Sequence, residues 1–109
     1  MRLEWLGGDS TDGQSPTLYR SDRDTYVVQG WSTERPDTIE IPHRLIRHLQ
    51  PGTCLGALLH DTGHGTFTVT GETVTDAEAL AQIRLPGHES AVEVSIGMER
   101  RRDAAPGIR

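Results

Sequence analysis

Three side chains able to move protons or hold a metal stand within five residues of one another, His60, Asp61 and His64, on the string His60-Asp61-Thr62-Gly63-His64-Gly65. A carboxylate between two imidazoles is a competent ligand set for zinc or a similar ion, and also a competent acid–base pair. Two histidines four apart share a face on a helix. Here Gly63 and Gly65 mark a turn, where side-chain directions are not set by spacing. No further strong ligand lies nearby in sequence. The expectation is a solvated turn without a resident metal or cofactor, with His60, Asp61 and His64 as the weak metal candidates.

Asp61-Thr62-Gly63 also resembles the signature of the retroviral-type aspartic proteases, in which each half of a dimer supplies one such carboxylate and the pair shares a proton. His60 stands where those enzymes carry an apolar residue, and His64 where they carry a small one. No flap-like glycine hairpin or second signature follows. Turn chemistry alone accounts for Asp, Thr and Gly in this order. With no glycine-rich phosphate loop, nucleophile elbow or dinucleotide fingerprint either, the chain is expected not to be an enzyme and no residue is assigned a catalytic role.

Candidates for partner binding lie earlier. Arg44, Arg47 and His48 form a basic stripe on a predicted short helix, either a solvated face or a docking surface for an acidic patch. Trp31 is a core residue or an interface anchor. Cys54, the single cysteine, leaves no intrachain disulfide to form and is expected to be a small buried hydrophobe.

These residues are positioned by a unit that the chain writes twice. Thr25-Tyr26-Val27-Val28-Gln29-Gly30 returns 41 residues later as Thr66-Phe67-Thr68-Val69-Thr70-Gly71. Leu18 matches Leu59 in front of the two copies. Behind them Thr38-Ile39-Glu40-Ile41 matches Ala91-Val92-Glu93-Val94, now at an offset of 53, so the second copy holds a twelve-residue insertion. Trp31 has no aromatic counterpart, since Glu72 takes its place. Asp61-Thr62-Gly63 aligns with Arg20-Ser21-Asp22, the turn of the first copy.

The predicted elements follow. Leu3, Trp5 and Leu6 suggest a short segment or strand, and residues 7–15 a polar loop. The first copy reads as strands over 17–21, 25–31 and 38–41, with Tyr26, Val28, Ile39 and Ile41 inward and Val27 and Gln29 outward. Pro42 suits a first helical turn, which predicts a helix over 42–49 with Leu45, Ile46 and Leu49 on its apolar face. The second copy reads as strands over 53–60, 66–70 and 91–95. Its insertion holds a Thr75–Glu78 capping box that predicts a helix over 76–84, apolar at Ala77, Leu80, Ala81 and Ile83.

The fold class is therefore α+β and mainly antiparallel β. Two tandem three-stranded repeats are related by a pseudo-two-fold axis, as an open sheet, sandwich or barrel, plus two short helices. Residues 1–98 form a single domain built of repeats 16–52 and 53–98, and residues 99–109 a flexible Arg-rich tail.

Charge narrows the partner. The formal net charge is −5; residues 1–98 hold seven Arg against fourteen Asp and Glu, residues 99–109 four against two. An acidic body repels phosphate and argues against direct nucleic-acid binding, but suits a basic protein partner. No apolar run predicts a membrane span or secretory signal, so the cytoplasm is the expected compartment. A lean 34% apolar content leaves room for a homodimer.

Residues 7–49 resemble the small actinobacterial domain of the BldB-like kind. Carrying the resemblance are Ser15-Pro16-Thr17-Leu18-Tyr19-Arg20-Ser21-Asp22, the strand ending in Gln29-Gly30-Trp31, and Ile39-Glu40-Ile41-Pro42-His43-Arg44-Leu45. A cysteine in the first strand and an Arg-Asp-Ser core in the second, both seen in that family, are absent here. The resemblance implies a non-enzymatic regulatory module, partner of a helix-turn-helix transcription regulator. The alternative is a small-ligand or metal-binding domain that uses the 60–65 turn.

Overall fold

The computed structural model describes residues 1–8 and 16–98. Its strands are β1 (Leu3–Gly8), β2 (Thr17–Ser21), β3 (Thr25–Ser32), β4 (Thr38–Pro42), β5 (Thr53–Gly56), β6 (Leu59–Asp61), β7 (Thr66–Thr70), β8 (Glu72–Thr73) and β9 (Glu89–Met98). A 3-10 helix spans His43–His48, and α1 spans Ala77–Gln82. The nine strands form one antiparallel sheet, open rather than closed into a barrel. Its path runs β1-β2-β3-β4-β7-β6, and β9 joins it through β3 while also pairing with β5 and β8.

The duplication is visible in the hydrogen-bond register itself. Within the first copy Leu18 pairs with Val28 and Arg20 with Tyr26; within the second, Leu59 pairs with Val69 and Asp61 with Phe67. Between the copies Ile39 pairs with Val69 and Ile41 with Phe67, while Val92 pairs with Val28 and Val94 with Tyr26. Trp31 opposite Glu40 is matched by Glu72 opposite Glu93. Each pairing becomes another when residues are shifted by the two offsets, so each copy contributes its third strand to the other copy's hairpin. Neither copy keeps its core to itself.

Two apolar layers result. Leu18, Tyr26, Val28, Ile39, Ile41, Leu45, Leu55, Val69, Val92 and Val94 fill one side of the sheet, with the 3-10 helix contributing Leu45. Tyr19, Val27, Ala91, Val74, Ala79 and Ile83 fill the other side of the first half, beneath α1. The second layer corrects the expected alternation on β3: Val27 and Gln29 are as buried as Tyr26 and Val28. The inserted segment brings a second apolar surface onto that face, so β3 is a strand covered on both sides.

Other boundaries shift for local reasons. Gly7 and Gly8 close β1 rather than open a loop, while residues 9–15, along with the tail at 99–109, lie outside the described residues. Pro42 ends β4 with φ −69° and ψ 149°, an extended geometry, so the expected helix over 42–49 is reduced to the 3-10 turn that follows it. The strand expected over 53–60 breaks at Ala57 and Leu58, because β5 pairs with β9 and β6 with β7. The helix over 76–84 shortens to Ala77–Gln82 and is capped by Asp76, whose Oδ2 accepts the Ala79 N–H at 2.9 Å, so the Thr75–Glu78 box does not form. Its buried residue is Ala79, followed by the buried C-cap Ile83, whereas Ala77 and Ala81 face solvent. Cys54 is exposed, not buried, on a strand whose inward residue is Leu55. The closing strand runs well past residue 95, to Met98, because β5 pairs along its end.

Candidate functional site

The two halves of the sheet present the same face differently. In the first half Tyr19, Val27 and Ala91 are buried beneath the inserted segment. Their partners under the pseudo-two-fold are His60, Thr68 and Thr38, on β6, β7 and β4. No apolar cluster covers that face among the described residues. Polar residues stand where their equivalents are apolar because this half of the face meets water. The exposed surface is thus written into composition strand by strand.

Glu40 lies at its centre. Thr66 Oγ1 donates to Glu40 Oε2, and His64 Nε2 stands 3.3 Å from the same oxygen. The first half has an equivalent triad: Thr25 Oγ1 donates to Glu93 Oε2 at 2.6 Å, and an Arg23 guanidinium nitrogen sits 3.3 Å from Glu93 Oε1. The hydroxyl pairs Ser21–Thr25 and Thr62–Thr66 repeat as well. The His64–Glu40 pair is therefore part of the duplicated scaffold, with imidazole in place of guanidinium.

His43 and Asp61 have no such counterpart. His43 Nε2 lies 3.3 Å from Asp61 Oδ1 and 3.1 Å from the Thr66 carbonyl oxygen, and its ring packs 4.2 Å from that of Phe67. Two acceptors facing one nitrogen make Nε2 the protonated position of the ring. A hydrolytic triad places carboxylate and nucleophile on opposite ring nitrogens, whereas here carboxylate and carbonyl share one. Asp61 Oδ1 also accepts the Gly63 N–H at 2.9 Å, closing an Asx turn in which Gly63 adopts φ +88°. That amide bond, aided by His43 and His60, holds the Asp61 carboxyl below the usual carboxylate range against an opposing contribution from partial desolvation.

The metal candidates His60, Asp61 and His64 do share the turn region. Among the described residues, however, no group of three or more His, Cys, Asp or Glu is arranged to hold a metal ion. Asp61-Thr62-Gly63 is the turn that the alignment of the copies anticipates.

The partner-binding candidates fall in two places. Arg44 and Arg47 are exposed on the 3-10 helix, over the first apolar layer, while His48 is partly buried with its ring over Gly7. Trp31 shares strand parity with Val27 and Gln29 and so lies on the other face. There it stands directly opposite Glu40 on β4 and Glu89 on β9. The row His60, Thr68, Glu40, Trp31 crosses four adjacent strands on one face.

Glu89 belongs to a buried polar group beside this row. Gln29 Nε2 donates to Glu89 Oε1 at 2.9 Å and to the Arg84 carbonyl at 3.0 Å, and Tyr19 Oη donates to Gln29 Oε1 at 3.3 Å. Burial raises the Tyr19 phenol above its ordinary range; a hydrogen bond with Thr17 opposes this and the Glu89 charge adds to it.

Sequence reasoning missed Glu40 and His43. The repeat carried a signal for Glu40, since a glutamate recurs at the centre of both third strands; for His43 only the fold brings it to Asp61. Trp5, Leu58 and Met98 are also more exposed than their type suggests, at 50%, 92% and 78%.

No family model, curated protein or solved structure matches this chain.

Proposed function

We propose that the chain is a non-enzymatic protein-interaction module whose partner is a helix-turn-helix transcription regulator, and that it works in the cytoplasm. One observation carries this reading: the sheet face that α1 covers in the first half is open in the second, and is lined there by Thr38, Glu40, Thr66, Thr68 and His60. A face of hydroxyl, carboxylate and imidazole groups with Trp31 at its margin suits a polar, basic protein surface. The net charge of −5 supports the same partner chemistry and disfavours direct binding to DNA. The resemblance of residues 7–49 to a regulatory-partner domain supports the class of partner. No helix of the described residues is long and apolar enough to cross a membrane.

Capture of the tagged protein from native lysate, at low and at high salt, tests the reading. A helix-turn-helix regulator should be recovered at low salt and lost at high salt. Recovery without any DNA-binding protein would overturn it.

A second reading, a small-ligand site at the 60–65 turn, is favoured by the His43–Asp61 and His64–Glu40 pairs, each 3.3 Å apart. A thermal-shift screen over metal ions and anionic metabolites that stays flat would remove it.

A further inference from the structure

We propose that Trp31 and Glu40 form a seat for one arginine side chain of the partner, an inference that rests on the interaction-module reading above. The two residues are directly opposite on neighbouring antiparallel strands and point to the same side of the sheet. Such partners have Cα atoms about 4.5–5.5 Å apart, which puts an indole face and a carboxylate within reach of one guanidinium. Glu40 makes its contacts through Oε2, to Thr66 and His64. Oε1 has no protein partner among the described residues, and the Glu40 side chain is 29% exposed. The carboxylate is thus oriented by a hydroxyl and an imidazole on one oxygen and open on the other.

Comparison within the molecule isolates the indole as the added feature. In the other half the equivalent carboxylate, Glu93, is spent on Thr25 and Arg23, one on each oxygen, and Glu72 stands where Trp31 does. There the chain supplies its own guanidinium. In the open half His64 replaces that arginine, the second oxygen is left over, and an aromatic ring stands alongside. A guanidinium fits this arrangement better than an ammonium, because it stacks flat on the indole while its in-plane donors reach the carboxylate.

The test uses the full chain with Trp5→Phe, so that Trp31 is the remaining tryptophan, and follows its fluorescence during titration with a short glycine-spaced arginine peptide and its lysine counterpart. Saturable binding of the arginine peptide, at least threefold weaker for lysine, is expected. Glu40→Gln should weaken it at least fivefold, whereas Glu93→Gln should leave it unchanged, with thermal melts verifying that each variant folds. Equal loss in both variants, no loss in Glu40→Gln, or no saturable signal even after Arg100, Arg101 and Arg102 are changed together to Gln would overturn the seat. If binding emerges only when Arg100, Arg101 and Arg102 are changed together to Gln, the chain's own basic segment is the occupant and the partner assignment fails. The seat and the regulator reading fail separately. Regulator capture at full yield by Glu40→Gln protein sinks the seat alone; arginine-peptide binding without a captured regulator sinks the regulator alone.

Discussion

A Cβ added to Gly30 would stand 2.6 Å from the Glu40 carbonyl oxygen, and one added to Gly71 would stand 2.7 Å from that of Glu93. The next contacts correspond too: Ile41 and Ile39 at Gly30, Val94 and Val92 at Gly71. Each glycine recurs because a third strand passes across the end of the hairpin at a distance that admits no side chain. Close backbone approach, not a turn, is its reason.

Gly30→Ala and Gly71→Ala should therefore each destabilise the fold by about 1–3 kcal/mol through overpacking. At Gly87 an added Cβ meets nothing within 4 Å, so Gly87→Ala should stay within about 0.5 kcal/mol of the parent. Urea unfolding followed by circular dichroism measures all three.

The covered and open faces predict an asymmetric exchange. Val27→Thr copies the residue of the open half into a fully buried position and should cost about 1–3 kcal/mol for a desolvated hydroxyl. Thr68→Val, the reverse exchange on the open face, should change stability by less than about 0.5 kcal/mol. Equal effects in thermal melts would contradict the two-face assignment.

His64→Arg installs the first half's cation in the second half's triad. Because the His64 side chain is 70% exposed, the gain or loss should lie within about 1 kcal/mol, as for surface pairs generally. A large loss by urea unfolding would show that the two triads are not equivalent.

Acid should weaken the fold through carboxylates held below their ordinary range. For Asp61 the leading cause is the Gly63 amide bond. For Asp76 it is the amine of Met1, followed by the Ala79 amide, and for Asp37 the Arg35 guanidinium. A depressed folded pKa contributes stability that is complete above the unfolded value, about 3.9, and is lost as pH falls through the folded value. The melting temperature should therefore be insensitive to these groups between about pH 7 and 5 and fall below about pH 4. The gap between the parent and Asp61→Asn should shrink over that same acid range.

Much of the fold was legible in the residues. The repeat of Thr-x-x-Val-x-Gly spacing, the alternation of Ile39 and Ile41, and the turn chemistry at residues 61–65 are local, and local patterns survive in any tertiary setting. The repeat even specified which residues would be structurally equivalent. What it left open was which strand of which copy would pair with which, since every pairing in the sheet between copies is long-range and the periodicity of either strand is satisfied by several partners.

The candidate site was legible in part. Trp31 was marked by its asymmetry between the copies, but its partner was not, because Glu40 meets it through strand pairing rather than through sequence spacing. The burial of Val27 and Gln29 likewise depended on the inserted segment folding back over β3, a contact that no window around either residue contains. Residue types and spacing by themselves determined the units, the turns and the acidic balance. The tertiary structure decided which face of those units would be covered and which left open, because burial is a property of the neighbours that the fold supplies and not of the strand that receives them.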